Sequence, residues 1–288
     1  SMVENKEGFW YPSVDEKNCI ECKVCLKKCP VENTEFHRNE PHRVWAWRNK
    51  NDVDIMRSAS GGAADSAAKT ILQMGGVVYG AAYDEQLAVS HIEVTDEAER
   101  ENLQSSKYVQ SDPKDSYTKV KQRLSEGKTV LFTGTPCQIA GLNLYLGRKY
   151  DHLLTIDVVC HGTPSVLVWR KYLRELLQSK GKHIEDVCDI NFRDKSTGWK
   201  NYSITFRGGG EILFTELARK NVFMRGFLAN LYLRPSCYAC PAKSFKSGSD
   251  ITLGDFWGVG TVFSQYDDNK GVSGVMVKTE KGRVMLEK

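Results

Sequence analysis

Nine of the 288 residues are cysteine, and four of them stand in one compact run, Cys19, Cys22, Cys25 and Cys29, closed by Pro30. The spacing C-x2-C-x2-C-x3-C-P is that of the bacterial iron–sulfur ligand run. Three thiolates two residues apart wrap a tight loop around one cube of iron and sulfide. The loop N–H groups offset the negative charge of the cluster, and the proline turns the chain away. Zinc sites usually use well-separated Cys-x2-Cys pairs, so the run is read as a [4Fe–4S] site. In two-cluster ferredoxins the fourth cysteine of such a run serves the other cluster. Its three companions would lie upstream, yet no cysteine precedes Cys19. The opening Ser-Met has the look of a tag scar. The expectation is therefore a shortened lobe, in which the cluster is lost or Cys29 closes a single one.

A second set is scattered. Cys137 follows Thr135-Pro136, a natural N-cap and a natural first helical residue, so its thiol should sit in the first turn of a helix. That position favours a thiolate or a bound anion. Cys160 ends the next apolar strand, just before Gly162-Thr163-Pro164. Parallel strands emerge on one edge of a sheet, where α/β proteins bind ligands, so Cys137 and Cys160 are expected as neighbours. Cys237 and Cys240 form a Cys-x2-Cys loop placed to close over that edge. Two readings stand side by side. Cys160 alone is a core cysteine, and Cys237 with Cys240 is half a zinc knuckle or a redox pair; together the four make a second metal site. Cys188, in an apolar strand context, is read as core.

The elements that must hold these residues are legible in the middle of the chain. Asp112-Pro113 reads as the start of a helix to about Ser125. Thr129–Thr133 and Leu153–Val159 are strands of the buried type, and helices at about Cys137–Leu146 and Ser165–Ser179 follow them. This alternation with short connections predicts an α/β fold (α+β overall): a covered mixed or parallel sheet with helices, plus a small N-terminal ferredoxin-like lobe. Earlier, Val44–Arg48, Val77–Tyr83 and Leu87–Val94 read as strands, and Ala63–Met74 as a helix behind Ser60-Gly61-Gly62. Later, Ile190–Phe192, Ser203–Phe206 and Glu211–Phe214 read as strands around the turn at Gly208–Gly210, with a helix over Leu217–Leu231.

Composition sets outer bounds. Hydrophobic residues at 41% and charged residues at 26% exclude a largely disordered or collagen-like chain. A net charge of +4 without basic blocks gives no reason to expect nucleic acid. No apolar run approaches the ~18 residues of a membrane span, and Ser1–Trp10 is polar and acidic, unlike a signal peptide. A cytoplasmic protein is expected.

Thr133–Gly141 (TGTPCQIAG), Asp157–Gly162 (DVVCHG), Cys237–Cys240 and the block Ala242–Trp257, ending DITLGDFW, together resemble the beta subunit of coenzyme F-420 hydrogenase/dehydrogenase. The resemblance spans nearly the whole chain. It implies a bound FAD beside a [4Fe–4S] cluster, and it makes Cys137, Cys160, Cys237 and Cys240 the inner cluster set. It also implies flavin contacts at Ser58, Ser60, Gly61 and Gly62, and at Lys107, Tyr108 and Gln110. A Ser/Gly helix start supplies N–H donors for phosphate, and a lysine suits a phosphate or the flavin N1 side. Read without the resemblance, Gly-Gly before a helix is a turn and Lys107 a solvated lysine.

The resemblance implies an electron relay from a hydride donor or acceptor (the deazaflavin F-420, NAD(P)H or another substrate) through FAD and [4Fe–4S] clusters to a redox partner protein or subunit. Self-association is left open. His161, next to Cys160, is a candidate proton relay and equally a structural hydrogen-bonder. The expected divisions are a partial ferredoxin-like lobe at 1–44, a flavin-associated region at 45–126 and an α/β domain carrying the inner cysteines at 127–288. The alternative is a non-catalytic, Fe–S- or zinc-stabilised docking scaffold of an oxidoreductase complex.

Overall fold

The computed structural model describes residues 2–33 and 40–287. Residues 34–39 of the expected lobe at 1–44 lie outside the described residues. The chain opens with the hairpin β1 (Met2–Glu4) and β2 (Trp10–Pro12), and the short helix α1 (Val24–Lys27) lies within the cysteine run. Then follow β3 (Arg43–Trp47), α2 (Asp52–Arg57), α3 (Ala63–Gln73), β4 (Val77–Tyr83), β5 (Val89–Val94), β6 (Ser111–Asp112) and α4 (Ser116–Ser125). The middle comprises β7 (Val130–Gly134), α5 (Pro136–Leu146), β8 (Leu153–Val158) and α6 (Val166–Ser179). The last part holds β9 (Asp189–Asp194), β10 (Ser203–Gly208), β11 (Glu211–Leu217), α7 (Val222–Leu228), β12 (Ile251–Asp255), α8 (Val259–Val262), β13 (Ser273–Val277) and α9 (Glu280–Leu286).

Eight strands join in one sheet, in the order β3-β13-β12-β8-β7-β4-β5-β6. The centre, β12-β8-β7-β4, is parallel, and β13, β3 and β5 are antiparallel to their inner neighbours. The mixed α/β sheet expected from the sequence is therefore present. Its central strands read as unbroken apolar runs because both faces are covered. Successive side chains alternate between faces: Leu131, Leu154 and Ile156 pack with Ala67, Ala68 and Ile71 of α3. Val130 and Phe132 pack with Val120 of α4 and with Ile139 and Leu142 of α5. A second, three-stranded antiparallel sheet, β11-β10-β9, packs against α6 and α7 through Trp169, Leu173, Phe192, Phe206 and Phe223.

Several local expectations need correction. The helix after Asp112 starts at Ser116 behind Asp115, because Ser111–Asp112 pairs with β5 as a short edge strand. The strand expected from Leu87 starts at Val89, since Leu87 sits in the turn with φ 57°. The helix expected over Leu217–Leu231 is only Val222–Leu228. Leu217 still pairs with Ser203 in the sheet, and Asn221 caps the helix by accepting from Met224 N–H. Cys188 is exposed, not core: it lies just before β9, where Val187 and Ile190 point inward instead.

Gly61 shows how tightly the sheet edge meets the start of α3. A Cβ there would come within 2.4 Å of the Trp47 carbonyl oxygen and 2.7 Å of the Ser273 nitrogen. Both obstacles are backbone and cannot swing away. Gly61→Ala is expected to lose about 1–3 kcal/mol, read as a lower urea midpoint at unchanged slope.

Candidate functional site

The carboxyl edge of β7 and β8 gathers the scattered cysteines. Gly134 pairs with Asp157 across the two parallel strands, so Cys137 and Cys160 each follow three residues later. Thr135 caps α5 in a capping box with Gln138, and Pro136 takes the first helical position, as the sequence predicts. The Thr135 hydroxyl lies 3.2 Å from the Cys137 sulfur. Past β8, residues 163–165 run against 232–234: Ser165 N–H donates to Tyr232 O (2.9 Å), and Arg234 N–H to Thr163 O (2.8 Å). This lays the Cys-x2-Cys loop beside Cys160. Thr163 N–H then donates to the Cys237 sulfur at 3.3 Å, and Cys237 N–H donates to Arg234 O at 2.8 Å.

Electrostatics register the convergence. Burial first, then the negative charge of Cys137, Cys237 and Cys240, pushes the Cys160 thiol up to about 12. Cys137 is raised in the same way, although part of its surface stays exposed. Among the described residues, no three His, Cys, Asp or Glu side chains stand close enough to grip a single ion. The N-terminal cysteines lie apart: Cys19, Cys22 and Cys25 are exposed and Cys29 is half-buried. Glu21 and Lys23 take left-handed φ angles of 54° and 56°, which coil the chain between successive cysteines.

The serine and glycine segment is tied down rather than open. Ser58 Oγ donates to Asp54 O (2.7 Å), Ser60 Oγ donates to Val272 O (2.8 Å), and Gly61 N–H donates to Ser273 Oγ (3.0 Å). Gly62, at φ 87°, leads into α3 with no side-chain cap. Lys107 Nζ donates to two carbonyls of its own loop, Asn102 O (2.9 Å) and Gln104 O (2.7 Å), so it is not a solvated lysine. Tyr108 packs between Phe192 and Phe227, and its hydroxyl accepts from Arg193 Nη1 at 3.1 Å. Gln110 keeps a buried side-chain oxygen with no partner among the described residues. His161 is exposed and meets the Phe227 ring edge-on at 4.9 Å.

Sequence reading missed the charged residues beneath this edge. Arg193 is 3% exposed and pairs with Asp255 at 2.9 Å. It lies over the Tyr202 ring (4.2 Å) and the Trp257 ring (5.2 Å), yet its Nε and Nη2 have no partner among the described residues. Lys195 Nζ donates to Ile55 O, Ser60 O and Lys270 O at 2.6, 2.7 and 2.7 Å, fixing the serine turn. Burial, and then Arg193, hold its ammonium down to about 7. The available signal was Arg-Asp-Lys directly after the apolar Ile190–Phe192.

His91 was also missed. Its ring stacks on Phe132 at 4.9 Å; Nδ1 lies 2.8 Å from Ser111 Oγ and Nε2 3.0 Å from Thr133 O. A neutral ring with Nε2–H donating to Thr133 O and Nδ1 accepting from the Ser111 hydroxyl meets both partners. It braces the end of β7 just before Cys137. Burial holds it down to about 4, against an ordinary value of 6.5. The folded form therefore resists protonation that the unfolded chain accepts. Stability is whole above pH 6.5 and is lost as pH falls toward 4, by on the order of 3 kcal/mol. Urea titrations at stepped pH should show this loss, and His91→Gln should flatten that window.

No helix among the described residues is long and apolar enough to cross a membrane. No curated protein matches the chain significantly. One chain of the F420-reducing [NiFe] hydrogenase complex from Methanosarcina barkeri, solved in a xenon-derivatised form, is similar in fold. The TM-score is 0.56 at 16% identity, covering 86% of this chain and 79% of that chain. The family model for the C terminus of the coenzyme F420 hydrogenase/dehydrogenase beta subunit matches residues 127–288. That span is more than half of the sequence and contains all four cysteines of the sheet edge, so the chain belongs to the coenzyme F420 hydrogenase/dehydrogenase beta subunit family.

Proposed function

We propose that this chain is a flavin- and iron–sulfur-dependent oxidoreductase subunit that moves electrons between a hydride-exchanging small molecule and a redox partner. The observation that carries the reading is the convergence of Cys137, Cys160, Cys237 and Cys240 on one sheet edge, where the Cys160 thiol feels the charge of the other three. A tetrahedral zinc needs all four sulfurs within ~2.3 Å of one point. Among the described residues no three such side chains stand that close, which favours a multi-iron group over zinc. For FAD, the supporting features are the uncapped start of α3 at Gly62 and the unpartnered polar atoms of Gln110 and Arg193, which a ring edge bearing carbonyls and N–H would satisfy. When bound, the flavin would supply hydride exchange and the clusters single-electron transfer.

The protein contributes placement and electrostatics. Thr163 N–H points at the Cys237 sulfur and the start of α5 at Cys137, and these positive dipole ends would tune the potential of a cluster held there. Lys195 and Ser273 fix the serine–glycine turn. Asp255 neutralises Arg193 and limits the positive field beside the ring site. The visible spectrum of anaerobically prepared protein tests the reading. Superposed flavin and iron–sulfur bands are expected; a colourless, zinc-loaded protein would favour the docking scaffold and overturn it. A screen of reduced F-420, NADH and NADPH for bleaching of the flavin band then identifies the donor class.

A further inference from the structure

Two side chains tie the N-terminal segment to the elements that carry inner thiols: Arg234 reaches the opening hairpin just ahead of the cysteine run, and Lys28, inside the run, reaches α5. Arg234 is the first. Its backbone belongs to the inner site: its N–H donates to Thr163 O and its carbonyl accepts from Cys237 N–H, each at 2.8 Å. Its side chain reaches the other way. The guanidinium lies over the Tyr11 ring at 4.4 Å and the Phe9 ring at 5.9 Å, and Nη2 donates to Trp10 O at 2.9 Å. Lys28, directly before Cys29, is the second. Its Nζ donates to Leu144 O at 2.6 Å, on the helix whose first turn carries Cys137. At ~1.5 Å of rise per residue, Leu144 lies only ~10 Å along α5 from that thiol.

The fit is built into the backbone as well. Gly8, at φ 83°, packs so closely on α6 that a Cβ would meet Leu167 Cβ at 2.4 Å. Ser165, the N-cap of that helix, donates its hydroxyl to Glu7 O. Phe9 is buried beside them. Cation–π contacts and a carbonyl acceptor hold a guanidinium in one plane, which a lysine would not reproduce.

We propose that Arg234 is a positioning residue that, with Lys28, clamps the cysteine run 19–29 at a fixed distance from the inner thiols, so that electron exchange between the two sets needs no docking motion. The clamp rests on the relay reading for its purpose, while its existence can be read without any metal. Hydrogen exchange of the full chain should show residues 8–12 and 19–29 exchanging about tenfold faster in Arg234→Gln. Arg234→Lys should recover little of the protection, and Lys28→Gln should loosen 19–29 alone. In the anaerobically loaded protein, Arg234→Gln should keep wild-type iron and sulfide but lose magnetic interaction between the reduced clusters in its electron paramagnetic resonance spectrum. Unchanged exchange in Arg234→Gln and in Lys28→Gln would overturn the clamp. Iron-free wild-type protein with normal protection would overturn the relay instead and leave the clamp as a structural contact.

Discussion

Cys137→Ser is expected to leave the fold intact and abolish electron delivery to an external dye. The start of α5 is set by Thr135 and Gln138 in their capping box and by Pro136, and none of these needs the cysteine sulfur. An oxygen in its place is a poor iron ligand, so the chain should lose one cluster's iron and sulfide. Removing groups that merely orient a ligand lowers metal affinity or activity 10–100-fold. Losing the ligand itself should lower dye reduction by more than about 100-fold while flavin content and the urea midpoint stay near wild type. Cys188→Ser is the control: the thiol is exposed and far along the chain from the other eight, and its loss should change neither iron nor rate. Normal dye reduction in Cys137→Ser would remove the inner set from the relay.

The second large effect is expected at Lys278. Lys278 is 1% exposed, and its ammonium lies 3.8 Å from Asp157 and 3.5 Å from Ser247 Oγ. Asp157 also accepts from the Ser247 hydroxyl and from Thr252 Oγ1. Burial lowers the lysine's affinity for its proton, and Asp157 and then Asp250 oppose that. The network ties β8 to β12 and to the loop that follows Cys240. Removing one member of a buried ion pair leaves the other uncompensated, at about 3–5 kcal/mol. Lys278→Ala should therefore lose that much in urea unfolding and loosen the loop downstream of Cys240. Replacing both partners by apolar residues, Asp157→Leu with Lys278→Met, should recover part of the loss. If Lys278→Ala costs under about 1 kcal/mol, the pair is not what fixes this loop.

Local signals carried much of the fold. The parallel pair β7 and β8 announced itself by two short apolar runs, each followed by a helix start, and Thr135-Pro136 marked the cap correctly. The same signals place Cys137 and Cys160 on one edge, where the register of β7 and β8 holds them. What the chain could not reveal is what depends on long-range pairing. Ser111–Asp112 became a strand because β5 needed a partner, which displaced the helix start to Ser116. Leu217 stayed extended because β10 paired with it. His91, Arg193, Lys195 and Lys278 are buried polar groups whose partners lie tens to hundreds of residues away, so no local pattern exposes them. Cys188 looked apolar in context, yet its exposure follows from which neighbours turn inward. The contacts of Arg234 with Phe9, Trp10 and Tyr11 span most of the chain and belong to the same class.

The most direct test of electron relay follows light-driven reduction of the flavin, with EDTA as the electron donor, in the anaerobically loaded chain. It needs no knowledge of the physiological donor. Optical and paramagnetic resonance spectra would be taken together on wild type and Cys137→Ser. In the wild type, the signal of a reduced cluster is expected to grow as the flavin band bleaches. In Cys137→Ser, the flavin should bleach with no signal from the inner cluster. A wild-type chain whose flavin becomes fully reduced while its clusters stay oxidised would contradict the relay, as would a chain that carries no flavin.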